Sequence, residues 1–486
     1  MRVVAPSLKP LSAALLATAL LVATPAQAQS GQAAQQHAPQ AAPLPQSTLD
    51  IAARLREQAL ADDTAWTLIE SLTTEIGPRL PGSEADARAV AWAKARFEAL
   101  GYDRVWTEPV TFPKWERRSE SAAVLGAHAQ PLVITALGGS PGGDVSADLV
   151  RFDGIEALEA ADPATLAGRI VFVDMPMERT RDGSGYGKAG PVRSRGPSIA
   201  ARKGAAAYLM RSIGTSPHRV ANTGITRFDA DVTPIPAAAL SLPDADQLTR
   251  LLRFGPVQVR LALDVGWNGE YTSHNVIAEL TGRERPEEIV LIAGHLDSWD
   301  LGTGAVDDAS GVGITMAAGH LVAQQPQRPR RSLRVVAFAN EEQGLLGARA
   351  YAEAHGGADV IARHVVGAES DFGAGRIYGF NTSAPAGQRA TSDAIAEVLR
   401  PLGIDYLQDK GGPGPDIVPL AQKGGAWAWL GQDGTDYFDL HHNADDTLDK
   451  VDPDAVAQNT AAYAVFAWLA AESEESFGSA PKAEAP

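Results

Sequence analysis

The sequence predicts an α/β fold: a mostly parallel central sheet flanked by helices, with a β-rich domain inserted into it. The unbroken apolar run at residues 289–293 is typical of a strand that is buried on both faces, and similar runs follow at residues 333–339, which include Arg334, and at residues 365–368. Segments with helical periodicity alternate with these runs, which is typical of parallel sheets. Residues 118–269 differ, because short β-like runs there are separated by loops rich in Gly and Pro.

The composition indicates a globular, acidic protein. The chain has 486 residues, a formal net charge of -17 and 45% hydrophobic residues, enough for two domains with sizeable cores. The negative charge argues against nucleic acid and anionic membranes as partners. Because there is no cysteine, any metal site must be built from nitrogen and oxygen ligands.

The N-terminal segment has the pattern of a secretory signal peptide. Arg2 and Lys9 precede an apolar run at residues 11–23, and residues 26–28 supply the small side chains of a cleavage site. The run is short for a membrane anchor, which is the alternative interpretation. We therefore expect cleavage after Ala28, export to the periplasm or the medium, and no membrane insertion of the mature chain.

The elements follow in order from periodicity, caps and breakers. Helical periodicity at residues 49–55 and 66–72 precedes a turn rich in Gly and Pro at residues 77–82. Ser83 is a good N-cap for a helix over residues 84–100. Further helices are predicted at residues 198–210, 310–323, 345–355, 386–399 and 454–471. Further strands are predicted at residues 105–112, 131–137, 168–173, 257–265, 275–280 and 426–430.

The domain organisation follows from the change in the pattern of predicted strands, helices and loops along the chain. The inserted segment contains none of the candidate ligands, so we expect it to be a separate domain. The predicted segments are a signal peptide (1–28), a disordered linker (29–47), a discontinuous α/β domain (48–117 and 270–475), the inserted domain (118–269) and a disordered tail (476–486).

Histidines and carboxylates cluster where the buried strands end. The candidates are His295, Asp297, Asp307, Asp308, Glu341, Glu342, Glu369, Asp371, His441 and His442. The carboxyl edge of a parallel sheet is where active sites collect. Neutral imidazoles and carboxylates suit zinc, cobalt or manganese, and this many carboxylates favours two ions bridged by one of them.

Neighbouring residues in this set can divide the work. Adjacent residues on an extended segment point in opposite directions, so one of Glu341 and Glu342 can bind metal while the other faces the water as a base. Glu369 and Asp371 flank Ser370, and either can turn towards the metal. Asp297 follows His295 by two residues, and it is placed to accept a hydrogen bond from the imidazole N–H of His295 that does not face the metal.

These motifs resemble the two-zinc exopeptidases that include carboxypeptidase Q and the bacterial leucyl aminopeptidases. The resemblance covers about residues 49–471 and implies the zinc exopeptidase fold, with residues 118–269 similar to a protease-associated domain. The motifs that carry it are at residues 294–300, 304–308, 340–344, 369–371 and 442–447. Ala309-Ser310 departs from the pattern, because carboxypeptidase Q has glycines there.

The resemblance implies a role for each candidate. His295 and Asp371 would bind one of two zinc ions, Glu342 and His442 would bind the other, and Asp307 would bridge them. Glu341 would be the general base, and Asp297 would orient the first imidazole. His442 is chosen over His441 because its spacing to Asp446-Thr447 fits the family.

The same resemblance implies hydrolysis of terminal peptide bonds in unblocked dipeptides or short peptides, and suggests a homodimer. It also places Asp416 and Tyr437 near the substrate pocket, although a turn residue and a packed aromatic are equally good interpretations. One rival hypothesis is a non-catalytic binding protein on the same fold. Another is a serine hydrolase that uses Ser140 in a G-x-S-x-G segment, but Pro141 and Gly142 do not begin the helix that this motif requires.

Overall fold

The computed structural model describes residues 44–478, so the predicted signal peptide and most of the predicted linker and tail lie outside the described residues. The inner ends of the linker and the tail were placed wrongly. The first helix begins at Gln46, inside the predicted linker. Phe477, inside the predicted tail, is 1% exposed and belongs to the main hydrophobic core. Apolar contacts therefore order the chain a few residues further out at both ends.

The described residues contain fourteen strands. They are β1 (Arg104–Val124), β2 (Gln130–Leu132), β3 (Ile134–Ala136), β4 (Gly143–Phe152), β5 (Ile170–Val173), β6 (Ala207–Arg211), β7 (Ala237–Leu240), β8 (Gln258–Leu280), β9 (Arg285–His295), β10 (Arg331–Phe338), β11 (His364–Glu369), β12 (Ile377–Thr382), β13 (Asp405–Tyr406) and β14 (Ala428–Gln432).

Thirteen α-helices lie in the same part of the chain. They are α1 (Gln46–Leu60), α2 (Thr64–Ser71), α3 (Glu84–Ala99), α4 (Ile155–Ala160), α5 (Ser184–Ser194), α6 (Gly196–Arg202), α7 (Leu242–Leu251), α8 (Ser310–Ala323), α9 (Leu346–His355), α10 (Ala358–Ile361), α11 (Ala390–Leu399), α12 (Val418–Gln422) and α13 (Pro453–Glu472). Ser83 caps α3 as predicted, because its hydroxyl accepts a hydrogen bond from the Asp86 amide at 3.1 Å.

The large sheet has the strand order β11-β9-β10-β8-β4-β5-β6-β7-β3, and β1 pairs with β2 and β8. The site-bearing strands β9, β10 and β11 are parallel to one another, so their carboxyl ends meet at one edge. The strands β8 and β1 run antiparallel. The predicted α/β architecture is confirmed, and the antiparallel strand β8 lies between β10 and β4 in the large sheet.

The strand β8 is one continuous element, although the sequence predicts two strands at residues 257–265 and 275–280. It pairs with β1 from Val259 to Glu279, with two irregularities along the way. Because the first part of β8 also pairs with β4, the sheet continues from the site-bearing strands into residues 118–269. The boundaries of an inserted domain therefore remain a prediction.

The helix predicted over residues 198–210 is wrong in its second half. The helix α6 ends at Arg202, and Gly204 follows with a φ of 81°, in the left-handed region that ends helices. The next residues form β6, which is buried between β5 and β7. Burial within the sheet outweighs the helical propensity of the alanines there.

Two nearly all-apolar helices support the sheet below the site. Most residues of α8 and α13 are buried, and each packs in the same core as β9. A helix that is apolar all round needs neighbours on several sides. No helix within residues 44–478 is long and apolar enough to cross a membrane.

Arg79 is fully buried and joins the turn at residues 77–82 to the loop after β9. Its guanidinium donates to the carbonyl oxygens of Leu296 at 2.7 Å, Gly77 at 3.0 Å, Thr303 at 2.7 Å and Gly304 at 3.0 Å. Five donors in a rigid plane make arginine suited to holding several carbonyls at once. This side chain therefore fixes the segment that leads into the acidic pair at 307–308.

Replacing Arg79 with methionine is expected to destabilise the protein. The substitution keeps most of the apolar stem but leaves four carbonyl oxygens, three of them buried, without this donor, so we expect Tm to fall by about 5 °C or more. Arg54→Met is the matched control, because Arg54 is exposed, and its Tm should change little. Equal melting temperatures for both variants, measured by circular dichroism, would contradict this role for Arg79.

Candidate metal centre

The site forms where the parallel strands end. His295 is the last residue of β9, and Asp371 follows the end of β11 by two residues. After β10 the chain turns at Asn340, which has a φ of 52° and leads into Glu341 and Glu342. Asparagine adopts this left-handed conformation more readily than most residues. The strand register therefore places all of these side chains at one edge of the sheet.

The five predicted metal ligands form one continuous series of contacts. Nε2 of His295 lies 3.0 Å from Oδ1 of Asp307 and 3.5 Å from Oδ1 of Asp371. Nε2 of His442 lies 3.3 Å from Oδ2 of Asp307 and 2.8 Å from Oε2 of Glu342. Each carboxylate oxygen of Asp307 thus faces a different histidine, which is the geometry expected of a bridging ligand.

The donor atoms of this series fit a metal site. Ligand atoms of His295, Asp307 and Glu342 lie within 4.8 Å of one another, as do those of His295, Asp308 and Asp371. Oδ2 of Asp307 and Oε1 of Glu342 are buried without a hydrogen-bond donor. An unpartnered buried oxygen is costly, and a divalent cation would satisfy both atoms.

The electrostatics of the cluster show a shortage of positive charge. Burial raises the pKa of Glu342 to about 7, with Asp307 adding to the rise against the lowering effect of His442. Burial alone would lower the pKa of His295, but Asp371, Asp297 and Asp307 outweigh it and hold that pKa well above its ordinary value. The neighbouring carboxylates thus favour a positive charge beside them, which a bound cation would provide.

Asp297 contacts the site differently from the prediction. Nδ1 of His295 lies 3.1 Å from the backbone oxygen of Asp297 but 3.7 Å from its carboxylate. The carboxylate instead accepts hydrogen bonds from the amides of Glu341 at 3.0 Å and Glu342 at 3.2 Å. The backbone oxygen of Asp297 is therefore the atom at hydrogen-bond distance from the imidazole, while its carboxylate holds the backbone of the next loop.

Asp371 and Glu369 have different contacts in the structure. Asp371 contacts His295, whereas one oxygen of Glu369 accepts the amide hydrogen of Asp416 at 2.8 Å. Asp416 is fully buried, and burial together with Glu369 raises its pKa well above the ordinary range. Tyr437 lies in the wall beside the site, with its ring centroid 5.0 Å from that of His441. Of the two predicted pocket residues, Tyr437 lines the cleft over the cluster, and Asp416 is not part of its lining.

Three side chains close to the cluster gave little or no signal in the sequence. His441 stacks on His442 at 3.5 Å between ring centroids, and its Nε2 lies 3.6 Å from Oδ2 of Asp307. Asp446 accepts the amides of Ala305 and Val306, each at 2.7 Å, and so holds the loop that carries the bridging residue. Arg193 also lines the cleft, and it lies in the segment that contains none of the predicted ligands. His441 and Asp446 belong to a sequence motif that contains a predicted ligand, whereas no feature of the sequence indicated Arg193.

A cleft of about 430 Å³ opens over the cluster and has Glu341 and aromatic side chains in its wall.

Ser140, the nucleophile of the rival serine-hydrolase hypothesis, does not line this cleft and is fully buried. Its Oγ donates to the Pro141 carbonyl and accepts the Ala237 amide, both at 2.9 Å. The extended strand β4 follows this serine instead of a helix, so the structure gives no support to a serine hydrolase.

Comparisons with known proteins agree with this geometry. The family model for peptidase family M28 matches residues 275–467. Carboxypeptidase Q from Bos taurus is 32% identical over 423 residues, covering 85% of this chain and 87% of the relative. Carboxypeptidase Q from Homo sapiens has the same identity and coverage.

Solved structures with the same fold were also found. The crystal structure of a peptidase M28 precursor from Shewanella amazonensis SB2B is 46% identical, with a TM-score of 0.86, and the match covers 88% of this chain and 98% of that one. A zinc aminopeptidase from Bacillus subtilis shares the fold at 20% identity and a TM-score of 0.62, covering 83% of this chain and 94% of that chain. The resemblance identified in the motifs is confirmed. This chain belongs to peptidase family M28 and is a metallopeptidase.

Proposed function

We propose that this metallopeptidase is a two-zinc exopeptidase that hydrolyses terminal peptide bonds of unblocked dipeptides or short peptides. The observation that carries the proposal is the series Asp371, His295, Asp307, His442, Glu342, in which the central carboxylate faces a histidine on each side. Signal-peptide cleavage, export to the periplasm or the medium, and a homodimer are further proposals, which rest on the sequence pattern and the family resemblance.

Five residues would hold the two ions. Asp307 would bridge them, His295 and Asp371 would complete one site, and Glu342 and His442 the other. The zinc ions, when bound, would supply Lewis-acid activation of the scissile carbonyl and of the attacking water. The chain's own contribution is to hold these side chains close together at the strand ends.

Glu341 is the residue best placed to move the proton. Asp297 fixes the backbone of Glu341 and Glu342, so that Glu342 contacts His442 while Glu341 lines the open cleft. Burial and the nearby charge of Asp371 raise the pKa of Glu341 well above its ordinary range, although His295 opposes them. A carboxylate in this position can take a proton from the attacking water and deliver it to the leaving amine.

Replacing Glu341 with glutamine is expected to abolish proton transfer while leaving the ligands intact. We expect a variant that still binds zinc but has kcat lowered about 10²- to 10⁴-fold, the usual contribution of general acid–base catalysis. Metal content and dipeptide hydrolysis should be measured on the same preparation. Glu342→Gln serves as the control, because it should lose metal affinity as well as turnover. Wild-type kcat in Glu341→Gln would exclude Glu341 as the base.

A second pair of variants tests the choice between Asp371 and Glu369. Asp371→Asn is expected to lower the bound zinc by about one equivalent, because it removes a charged ligand. Glu369→Gln should keep the wild-type metal content, since that side chain binds the Asp416 amide outside the ligand series. Titration with zinc, followed by elemental analysis, distinguishes them. The reverse pattern would move the ligand to Glu369.

Metal removal tests the proposed function as a whole. The mature protein is expected to contain two zinc equivalents and to hydrolyse unblocked dipeptides, to lose this activity on chelation, and to regain it when zinc is restored. A protein that stays inert after zinc is restored would point to the rival hypothesis, a binding protein on a peptidase fold.

A further inference from the structure

The loop that carries His442 is held from outside the site-bearing strands. The connection from β6 to β7 is irregular over residues 212–236, yet Asn222 is only 1% exposed and Thr223 only 2%. The polar groups of a buried connection must find partners within the protein, and long connections of this kind are often functional. Here two of the partners are His441 and His442.

Three hydrogen bonds join this connection to the two histidines. The Asn222 side chain donates from Nδ2 to the His441 carbonyl oxygen at 2.7 Å. The Thr223 amide donates to the His442 carbonyl oxygen at 2.9 Å, and the Thr223 carbonyl oxygen lies 3.3 Å from Nδ1 of His442. Nε2 of the same imidazole faces Glu342 at 2.8 Å. An imidazole that donates from Nδ1 to a carbonyl presents the lone pair of Nε2 to a metal.

The backbone of His442 has a conformation that needs such support. Its φ of 62° lies in the left-handed region, which a residue other than glycine keeps only where its surroundings hold it there. Hydrogen bonds to the carbonyl oxygens of His441 and His442 fix the peptide planes on both sides of this residue. Residues 222–223 therefore restrain the backbone of a candidate ligand as well as its ring.

The two residues that make these contacts are themselves anchored. The Asn222 amide donates to Oγ of Ser212 at 2.8 Å, and Oγ1 of Thr223 donates to the Ala136 carbonyl oxygen at 2.7 Å. A Cβ at position 214 would lie 2.8 Å from the side-chain amide of Asn222, so Gly214 leaves the room that this side chain needs. All of these anchors lie in the segment predicted as an insert, which contains none of the predicted ligands.

Charged contacts also reach the histidine loop, but they are weaker. Arg179 pairs with Asp436 at 2.7 Å and with Asp439 at 2.6 Å, and the Arg179 side chain is 37% exposed. Exposed ion pairs contribute little, because water and salt screen them. Asn222 is buried, so water does not replace a hydrogen bond that is lost there. The buried contacts are therefore the ones that decide where the histidines lie.

We propose that Asn222 and Thr223 are positioning residues for His442, and that residues 118–269 thereby control zinc binding at the site of Glu342 and His442. This inference rests on the proposed two-zinc function. Removing a group that orients a metal ligand typically lowers metal affinity about ten- to a hundredfold.

The effect should be confined to one of the two ions. The other proposed site uses His295, the last residue of β9, and Asp371, which follows β11 by two residues. Their positions are set by the strand register and not by the connection from β6 to β7. Two separate zinc dissociation constants therefore distinguish a positioning role from a general loss of structure.

The test compares two buried asparagines. Asn222 and Asn381 are each no more than 4% exposed, each donates from Nδ2 to a backbone carbonyl at 2.7 Å, and Oδ1 of each is buried without a donor. Asn381 lies on β12 and does not line the cleft. Asn222→Ala and Asn381→Ala thus remove the same kind of contact, one beside the histidines and one away from them, and a similar fall in Tm is expected for both.

Zinc affinity is measured by titrating the metal-free proteins with zinc in competition with a chromophoric chelator. In Asn222→Ala, we expect one dissociation constant to rise about ten- to a hundredfold and the other to keep its wild-type value. In Asn381→Ala, both should keep their wild-type values. Because the ligands are intact in Asn222→Ala, a higher free zinc concentration should restore its kcat on a dipeptide that the wild type hydrolyses.

A second pair of variants tests Thr223 and carries the test if Asn222→Ala does not fold. Thr223→Val removes the hydroxyl that binds the Ala136 carbonyl oxygen, and Thr223→Ser keeps it. The valine variant should weaken binding of the same ion, by a smaller factor than Asn222→Ala, and the serine variant should match the wild type.

Unchanged zinc affinity in Asn222→Ala and Thr223→Val would overturn the proposal and leave the two-zinc function in place. Equal weakening of both ions would also overturn it, because it would indicate a general structural role. If the wild-type protein binds no zinc, the proposed function itself fails, and this inference fails with it.

Discussion

The burial of many carboxylates around Asp307 is the constraint on which the rest of the structure depends. Asp307, Asp308, Glu342 and Asp446 are each no more than 5% exposed, within one small region. Repulsion and desolvation together make such a cluster unstable unless cations or strong donors compensate it. Histidines, a buried arginine and backbone amides compensate part of this negative charge. The unpartnered carboxylate oxygens lie where metal ions would compensate the rest.

The carboxylates divide into those that face the cleft and those that hold the backbone. Asp308 accepts the His295 amide at 3.0 Å and the Gly311 amide at 2.9 Å, and so fixes the end of β9 against the start of α8. Asp297 and Asp446 do the same for the loops that carry the proposed base and the proposed bridge. Ligand geometry at this site is therefore set by hydrogen bonds that backbone amides donate to other acidic residues, which explains why acidic residues outnumber the candidate ligands.

Residues 118–269 take part in the site as well as extending the sheet. The Thr223 amide donates to the His442 carbonyl, and the Thr223 carbonyl oxygen lies at hydrogen-bond distance from Nδ1 of His442. Tyr186 forms a T-shaped ring pair with His441 at 5.0 Å between ring centroids. The cleft thus has a floor of candidate metal ligands from the strand ends and one wall from the segment predicted as an insert.

The sequence by itself determined most of the elements and the candidate ligands, because both depend on local order. Apolar runs identified β9, β10 and β11, and parallel pairing brings whatever follows them to one edge. The choice between Asp371 and Glu369 could only be suggested by resemblance, since alternation allows either. Only the tertiary structure shows that Asp371 contacts His295 while Glu369 accepts the Asp416 amide, and it also shows the contacts of Asp297, the buried position of Arg79 and Arg193 in the cleft wall. Each depends on groups that are distant in sequence, and periodicity carries no information about which distant oxygen a donor will meet.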